Sequence, residues 1–221
     1  MTQIDNGTIQ YRDEVVRKLI HLFSLSIPIV YYFIDKTTAI ILLSILTAFA
    51  LSLELLRYSN AVISKFIYKY FGFLLRKHEV SHKKKNLTGA SYVLISALLC
   101  VIIFPKVIFL TAFTILIISD SAAALIGRKF GKHKFLLKSL EGTLAFFISA
   151  IIVVFITPKS SNYISTEILI GIIAAFIGAI VENVSFGWAD DNLSIPLSIG
   201  ILMWIMYTAY NLPLILTNVP R

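Results

Sequence analysis

Apolar residues run through this chain in long blocks separated by short polar stretches. A membrane-crossing helix takes about 20 mostly apolar residues. Seven blocks qualify, at residues 16–34, 39–56, 89–104, 107–126, 143–156, 168–185 and 195–216, the fifth of them short. Only Pro105 and Lys106 separate the third and fourth, which predicts a tight helical hairpin. Residues 59–77 follow another pattern. Val62, Ile63, Phe66, Ile67, Tyr70, Phe71, Leu74 and Leu75 recur at helical spacing, with Lys65, Lys69, Arg76 and Lys77 at the margins. That predicts an amphipathic helix lying in the membrane interface, within a basic segment 57–88. In the sixth block Gly171, Ala175, Gly178 and Ala179 predict close helix packing. The expected architecture is all-α: a polytopic integral membrane protein of about seven transmembrane helices. It forms a single membrane-embedded domain over 1–221 behind a polar arm, 1–15.

Composition agrees, with 57% hydrophobic and 14% charged residues, where a soluble domain carries about 25% charged. The net charge of +8 would suggest nucleic acid as a partner in a soluble protein. Here the basic residues are dispersed among spans, so no nucleic-acid partner is expected. Their placement reads as topology instead. Sixteen of the 20 lysines and arginines fall in the N-terminal arm, between spans two and three, or between spans four and five. With seven spans these segments share one side, so the N-terminus and the polar surface are expected in the cytoplasm. In a prokaryote the membrane would be the plasma (inner) membrane. The polar start does not read as a cleavable signal peptide. Cys100, the single cysteine, lies in an apolar block. It excludes an internal disulfide and a cysteine-based zinc site, and is expected to act as a small hydrophobe.

Acidic residues at membrane depth are costly and seldom idle. Glu54, Asp120, Glu141 and Glu182 lie near the expected cytoplasmic ends of their spans, and Asp190 and Asp191 fall in the last cytoplasmic loop. Carboxylates beside a belt of cations suit a magnesium–nucleotide site, because magnesium takes one or two carboxylates plus substrate phosphates and cationic side chains hold the remaining phosphate charge. Residues 119–142 are richest. Asp120 ends a span, Ala123, Gly127 and Gly131 follow, Arg128, Lys129, Lys132 and Lys134 flank the glycines, and Lys138, Glu141 and Gly142 close the stretch. Small residues there would let backbone approach a ligand, which makes 127–142 a candidate nucleotide-binding loop. The bland alternative is a helix-ending glycine and a solvated basic loop. No P-loop pattern is present. Glu14, Arg17, Lys18 and His21 share one helical face, either as an interfacial anchor or as a phosphate-facing group. His78, His82 and His133 read as solvated loop residues. Asp191 or Ser194 is expected to cap the last span, with Pro196 in its first turn, and Asn86, Thr88 and Gly89 open the third.

Taken in order, the blocks Glu14-x-x-Arg17-Lys18-x-x-His21, Thr88-Gly89-Ala90, Asp120-x-x-Ala123-x-x-x-Gly127-x-x-x-Gly131, Lys138-Ser139-x-Glu141-Gly142 and Asp191-Asn192 resemble the CTP-dependent lipid-alcohol kinases. That family includes dolichol kinase, phytol kinase and the yeast-type CTP-dependent diacylglycerol kinase. The resemblance runs from about residue 14 to 200. Ser119 stands where the family commonly has glycine. The resemblance implies transfer of the terminal phosphoryl group of CTP to a lipid hydroxyl, the lipid being a polyprenol, a phytol-type prenol or diacylglycerol. By the same resemblance Asp120, Glu141, Lys18 and His21 are the expected catalytic residues. Asp120, Glu141 and Asp191 would hold magnesium, and Gly127, Arg128, Gly131, Lys132, Lys138, Gly142 and Asn192 would bind the nucleotide. Glu14, Arg17, Glu54, Thr88 and Glu182 are further candidates. Two alternatives stand beside this reading. One is a cytidylyltransferase making CDP-diacylglycerol, although its His-Gly-Gly and Asp-Arg-x-Asp signatures are not seen. The other is a small transporter, although transporters place polar groups near the bilayer midplane.

Overall fold

A computed structural model describes residues 10–59, 65, 87–160, 162–185 and 190–216. The expected interfacial helix at 59–77 lies almost wholly outside these residues. The described chain is helical apart from one small hairpin. Helix α1 (Tyr11–Leu22), a 3-10 turn (Phe23–Leu25) and α2 (Ser26–Phe33) run on as one rod. The 3-10 turn sits where Pro28 would otherwise press on the Ser24 carbonyl, and tightening there relieves that clash. Then come α3 (Lys36–Ser59), α4 (Gly89–Ile103) and α5 (Lys106–Phe130). The hairpin strands β1 (Lys134–Phe135) and β2 (Lys138–Ser139) lead into α6 (Leu140–Ile156), α7 (Ile164–Val184) and α8 (Asp191–Ala209).

Five helical rods are long and apolar enough to cross a membrane: Tyr11–Phe33, α3, α5, α7 and α8. Helices α4 and α6 are apolar but shorter, at 15 and 17 residues. Each of the seven expected blocks therefore holds a helix, and five reach spanning length. Several boundaries move outward into polar sequence. The first helix starts at Tyr11 and takes in part of the expected arm. Helix α5 continues through Gly127, Arg128 and Lys129 to Phe130, and α6 starts before Glu141. The expected loop 127–142 is thus helical at both ends. Helix α8 starts at Asp191, so Pro196 lies in its second turn. Its cap is Asp190, whose side chain accepts from the Asn192 N–H, rather than Asp191 or Ser194.

Helix α5 forms the axis of the bundle. Of its apolar stretch 78% is buried, against 17–39% in the other four long rods. Phe109 and Phe113 stack at 5.1 Å within it, and Tyr31 meets Phe109 edge-on. Cys100 is buried, as expected of a small hydrophobe. The small residues of α7 also serve packing. A Cβ on Gly171 would lie 2.5 Å from the Val154 side chain, and one on Gly178 would lie 2.6 Å from Ile199. The tight connection at Pro105 is held by exchanged lysine contacts. Lys36 reaches the Ile102 carbonyl at 2.8 Å, and Lys106 reaches the Ile34 carbonyl at 2.6 Å. This leaves the start of α1, the end of α5, the hairpin, the end of α7 and the start of α8 together at the other end of the bundle.

Candidate active site

Five elements deliver charge to that end: helix α1 carries Lys18, α5 carries Asp120, β2 carries Lys138, α7 carries Glu182, and the first turn of α8 carries Asp191. Asp120, Glu182 and Asp191 each place one carboxylate oxygen within 4.8 Å of the others. Asp120 and Glu182 are buried. Two lysines are threaded through this group. Lys18, itself buried, is paired with Asp120. Lys138 lies 2.6 Å from Glu182 and 3.2 Å from Asp191. His21 Nε2 stands 3.7 Å from the Asp120 carboxylate. At full ionisation the three carboxylates and two ammonium groups sum to one negative charge. Burial alone would lower the pKa of Lys138, but Asp191 and Glu182 outweigh it and hold the ammonium above its ordinary value.

The hairpin explains how Lys138 arrives there. Phe135 pairs with Lys138 and Lys134 with Ser139, so the turn is made by Leu136 and Leu137. Asn183, fully buried, accepts from the Leu137 and Lys138 N–H groups at 2.9 and 3.1 Å and donates to Thr143 at 2.6 Å. One side chain on α7 thereby pins the hairpin to α6. Alternation along β2 then turns Lys138 to the carboxylates and Ser139 into the α5–α6 contact. In that contact Gly127, Gly131 and Gly142 surround Ser139. A Cβ on Gly127 would lie 3.0 Å from the Ser139 hydroxyl oxygen and 3.2 Å from the Gly142 Cα. The glycine spacing lets these two helices close on each other around Ser139.

A second cationic group adjoins the first. Buried Glu14 grips Arg17 at 2.5 Å and Arg128 at 3.2 Å, tying α1 to the end of α5. Glu54 has a different occupation. It pairs with Arg57 at 2.8 Å and accepts from the Thr88 N–H and the Ser91 hydroxyl, which holds the start of α4. A Cβ on Gly89 would meet Asn192 at 3.8 Å, so the Thr88-Gly89 and Asp191-Asn192 blocks adjoin. Glu141 is the main departure from expectation. Its carboxylate turns away to His133, meeting the ring at 2.7 Å and the backbone N–H at 3.2 Å. It caps the loop and stands outside the carboxylate group, where Glu182 takes the position expected for it. Lys132 is exposed.

Three oxygen donors from separate helices, two of them buried, fit a hard divalent cation such as magnesium. Asp120, Glu182 and Asp191 could hold it. Two shallow hollows, one lined by Trp204 and Thr208 and one by Tyr31 and Lys106, lie at the opposite end of the bundle from these residues. Sequence reasoning missed Asn183, whose one signal was an amide at membrane depth beside Glu182.

The chain is 35% identical over 186 residues to an uncharacterized protein of Rickettsia prowazekii, covering 84% of this chain and 90% of that one. It is 25% identical over 211 residues to CTP-dependent diacylglycerol kinase 1 of Schizosaccharomyces pombe, covering 88% and 94% of the two chains. It is 36% identical over 92 residues to the dolichol kinase of the same yeast, 41% of this chain but 17% of that enzyme. No family model and no solved structure matches.

Proposed function

The chain belongs to the same family as the Rickettsia prowazekii protein, and from that premise, with two distant kinase relatives beside it, we propose that it is an integral membrane lipid kinase. It transfers the terminal phosphoryl group of CTP to the hydroxyl of a lipid alcohol: a polyprenol, a phytol-type prenol or diacylglycerol. The observation that carries this reading is the meeting of Asp120, Glu182 and Asp191 with Lys18 and Lys138 at one end of the bundle.

Phosphoryl transfer asks mainly for positioning and for neutralised charge. In this reading Asp120, Glu182 and Asp191 hold magnesium, with Glu182 in place of Glu141. When bound, the metal neutralises phosphate charge. Lys18 and Lys138 move their hydrogen bonds from carboxylate to phosphate oxygens, and Arg17 and Arg128, aligned by Glu14, hold the outer phosphates. Asn192, beside Gly89, lines the nucleotide end. The lipid oxygen bonds to the γ-phosphorus as the bond to the β–γ bridging oxygen breaks and CDP leaves. The hydroxyl proton passes to His21, whose Nε2 stands 3.7 Å from the Asp120 carboxylate. The basic residues at this end support a site on the cytoplasmic face.

The test is purified protein in vesicles, offered each lipid alcohol with CTP or ATP. Label from the γ position of CTP is expected in a lipid monophosphate. Lipid labelled from the α position instead, with pyrophosphate released, would replace this reading with cytidylyl transfer.

A further inference from the structure

The hairpin places two leucines where a turn would ordinarily carry glycine or asparagine. Leu136 adopts a φ of 50°, a left-handed conformation that L-residues with a Cβ disfavour. Leu136 and Leu137 are 49% and 46% exposed. An aqueous turn gains nothing from leucine there, and the strain at Leu136 makes it a worse choice still. Asn183 nevertheless fixes the turn, so the exposure belongs to a rigid element.

The surroundings indicate what covers the leucines. Leu140, one residue beyond β2, opens a stripe on α6 that continues through Leu144, Ile148, Ile152 and Ile156, all exposed and spaced by four. On an apolar helix at the outside of a membrane bundle such a stripe faces acyl chains. The turn extends it past the helix end. Lys129, Lys132, His133 and Lys134, all exposed, flank the turn, which is the charge that anionic headgroups attract.

We propose that this hairpin is a membrane-contacting lip. Leu136 and Leu137 sit among the acyl chains of the leaflet on the site's side, and the flanking lysines sit among its headgroups. Lys138, which joins the carboxylates, follows the tip directly. The lip therefore holds the reacting end of the site at the depth where a lipid hydroxyl lies, and the alcohol reaches it sideways from the bilayer. This last step rests on the kinase reading; contact of the lip with lipid does not.

The experiment attaches an environment-sensitive fluorophore to Leu136→Cys, and separately to Leu137→Cys, in a Cys100→Ala background. The protein is placed in phosphatidylcholine–phosphatidylglycerol vesicles. Ile148→Cys serves as the lipid-facing reference. Lipids brominated on the acyl chain are expected to quench the lip probes at least half as strongly as the Ile148 probe, with little quenching by aqueous iodide. Iodide quenching without bromolipid quenching overturns the proposal. So does protection from both, which would mean that protein covers the lip. In the kinase assay, Leu136→Asp with Leu137→Asp is expected to raise KM for the lipid about tenfold and leave KM for CTP unchanged. Equal KM for the lipid would overturn the sideways route. Bromolipid quenching in a protein that transfers no phosphate would leave the lip standing and remove the kinase reading.

Discussion

Both ends of the bundle bury a glutamate of α7, and the two are satisfied in opposite ways. Glu167 is 1% exposed. It accepts from the Tyr207 hydroxyl at 2.8 Å and from the Ser160 N–H at 3.0 Å. Ser160 in turn reaches the Pro213 carbonyl. These two donors are neutral groups fixed in place, and the carboxylate acts as a staple between the start of α7, the end of α8 and the loops beside them, with the Lys159 ammonium near it. Glu182 is 3% exposed, yet its donor is a flexible ammonium that it shares with Asp191 in a cluster that also includes Asp120. A lysine can turn to a phosphate, and like charges held close together favour a cation. Burial of an acid in a membrane helix therefore does not mark a site by itself. What marks it is a set of partners that a ligand can replace.

The comparison breaks first at Asp120. Asp120→Asn removes the charge that Lys18 balances and is expected to lower turnover by roughly 10³-fold, while the protein still inserts and elutes as the wild type does. Retained turnover would place the chemistry elsewhere. Next is Glu182→Gln, expected to cost roughly 10²-fold and to raise the magnesium concentration needed for half-maximal rate. The same change at Glu141 should leave turnover within about threefold, because that carboxylate caps a loop. Equal losses at Glu141 and Glu182 would return the metal site to the arrangement expected from sequence. At the other end, Glu167→Gln is expected to leave turnover unchanged and to lower stability by about 1–3 kcal/mol, read as a lower thermal midpoint in detergent.

The smallest effect concerns pH. Lys138 is held above the ordinary lysine value by Asp191 and Glu182, so its ion pairs contribute in full below that ordinary value, about 10.4. The contribution is lost as pH rises through the raised one. The thermal midpoint should therefore fall above about pH 10, and Lys138→Met should remove that alkaline part of the curve. The same alkaline fall in Lys138→Met would contradict the pairing.

Much of this was legible in the residues. Hydropathy located a helix in every expected block, because a run of apolar side chains has few other stable solutions in lipid. Asp120 stood out because an acid at membrane depth is costly, and Lys18 because it shares a helical face with Glu14, Arg17 and His21. Glu141 and Glu182 could not be ranked the same way. Both are acids at helix ends, and the difference lies in the hairpin, which brings the His133 N–H to one and Lys138 to the other. Gly127 and Gly131 were ambiguous for a related reason. Small residues at four-residue spacing admit a ligand or a second helix equally well, and the position of Ser139 reveals the helix contact.

The bond from Glu54 to the Thr88 N–H clamps α3 to α4 across 33 intervening positions. The two helix ends are thereby fixed to each other directly, and the Thr88-Gly89 corner beside Asn192 keeps its place through a carboxylate of α3.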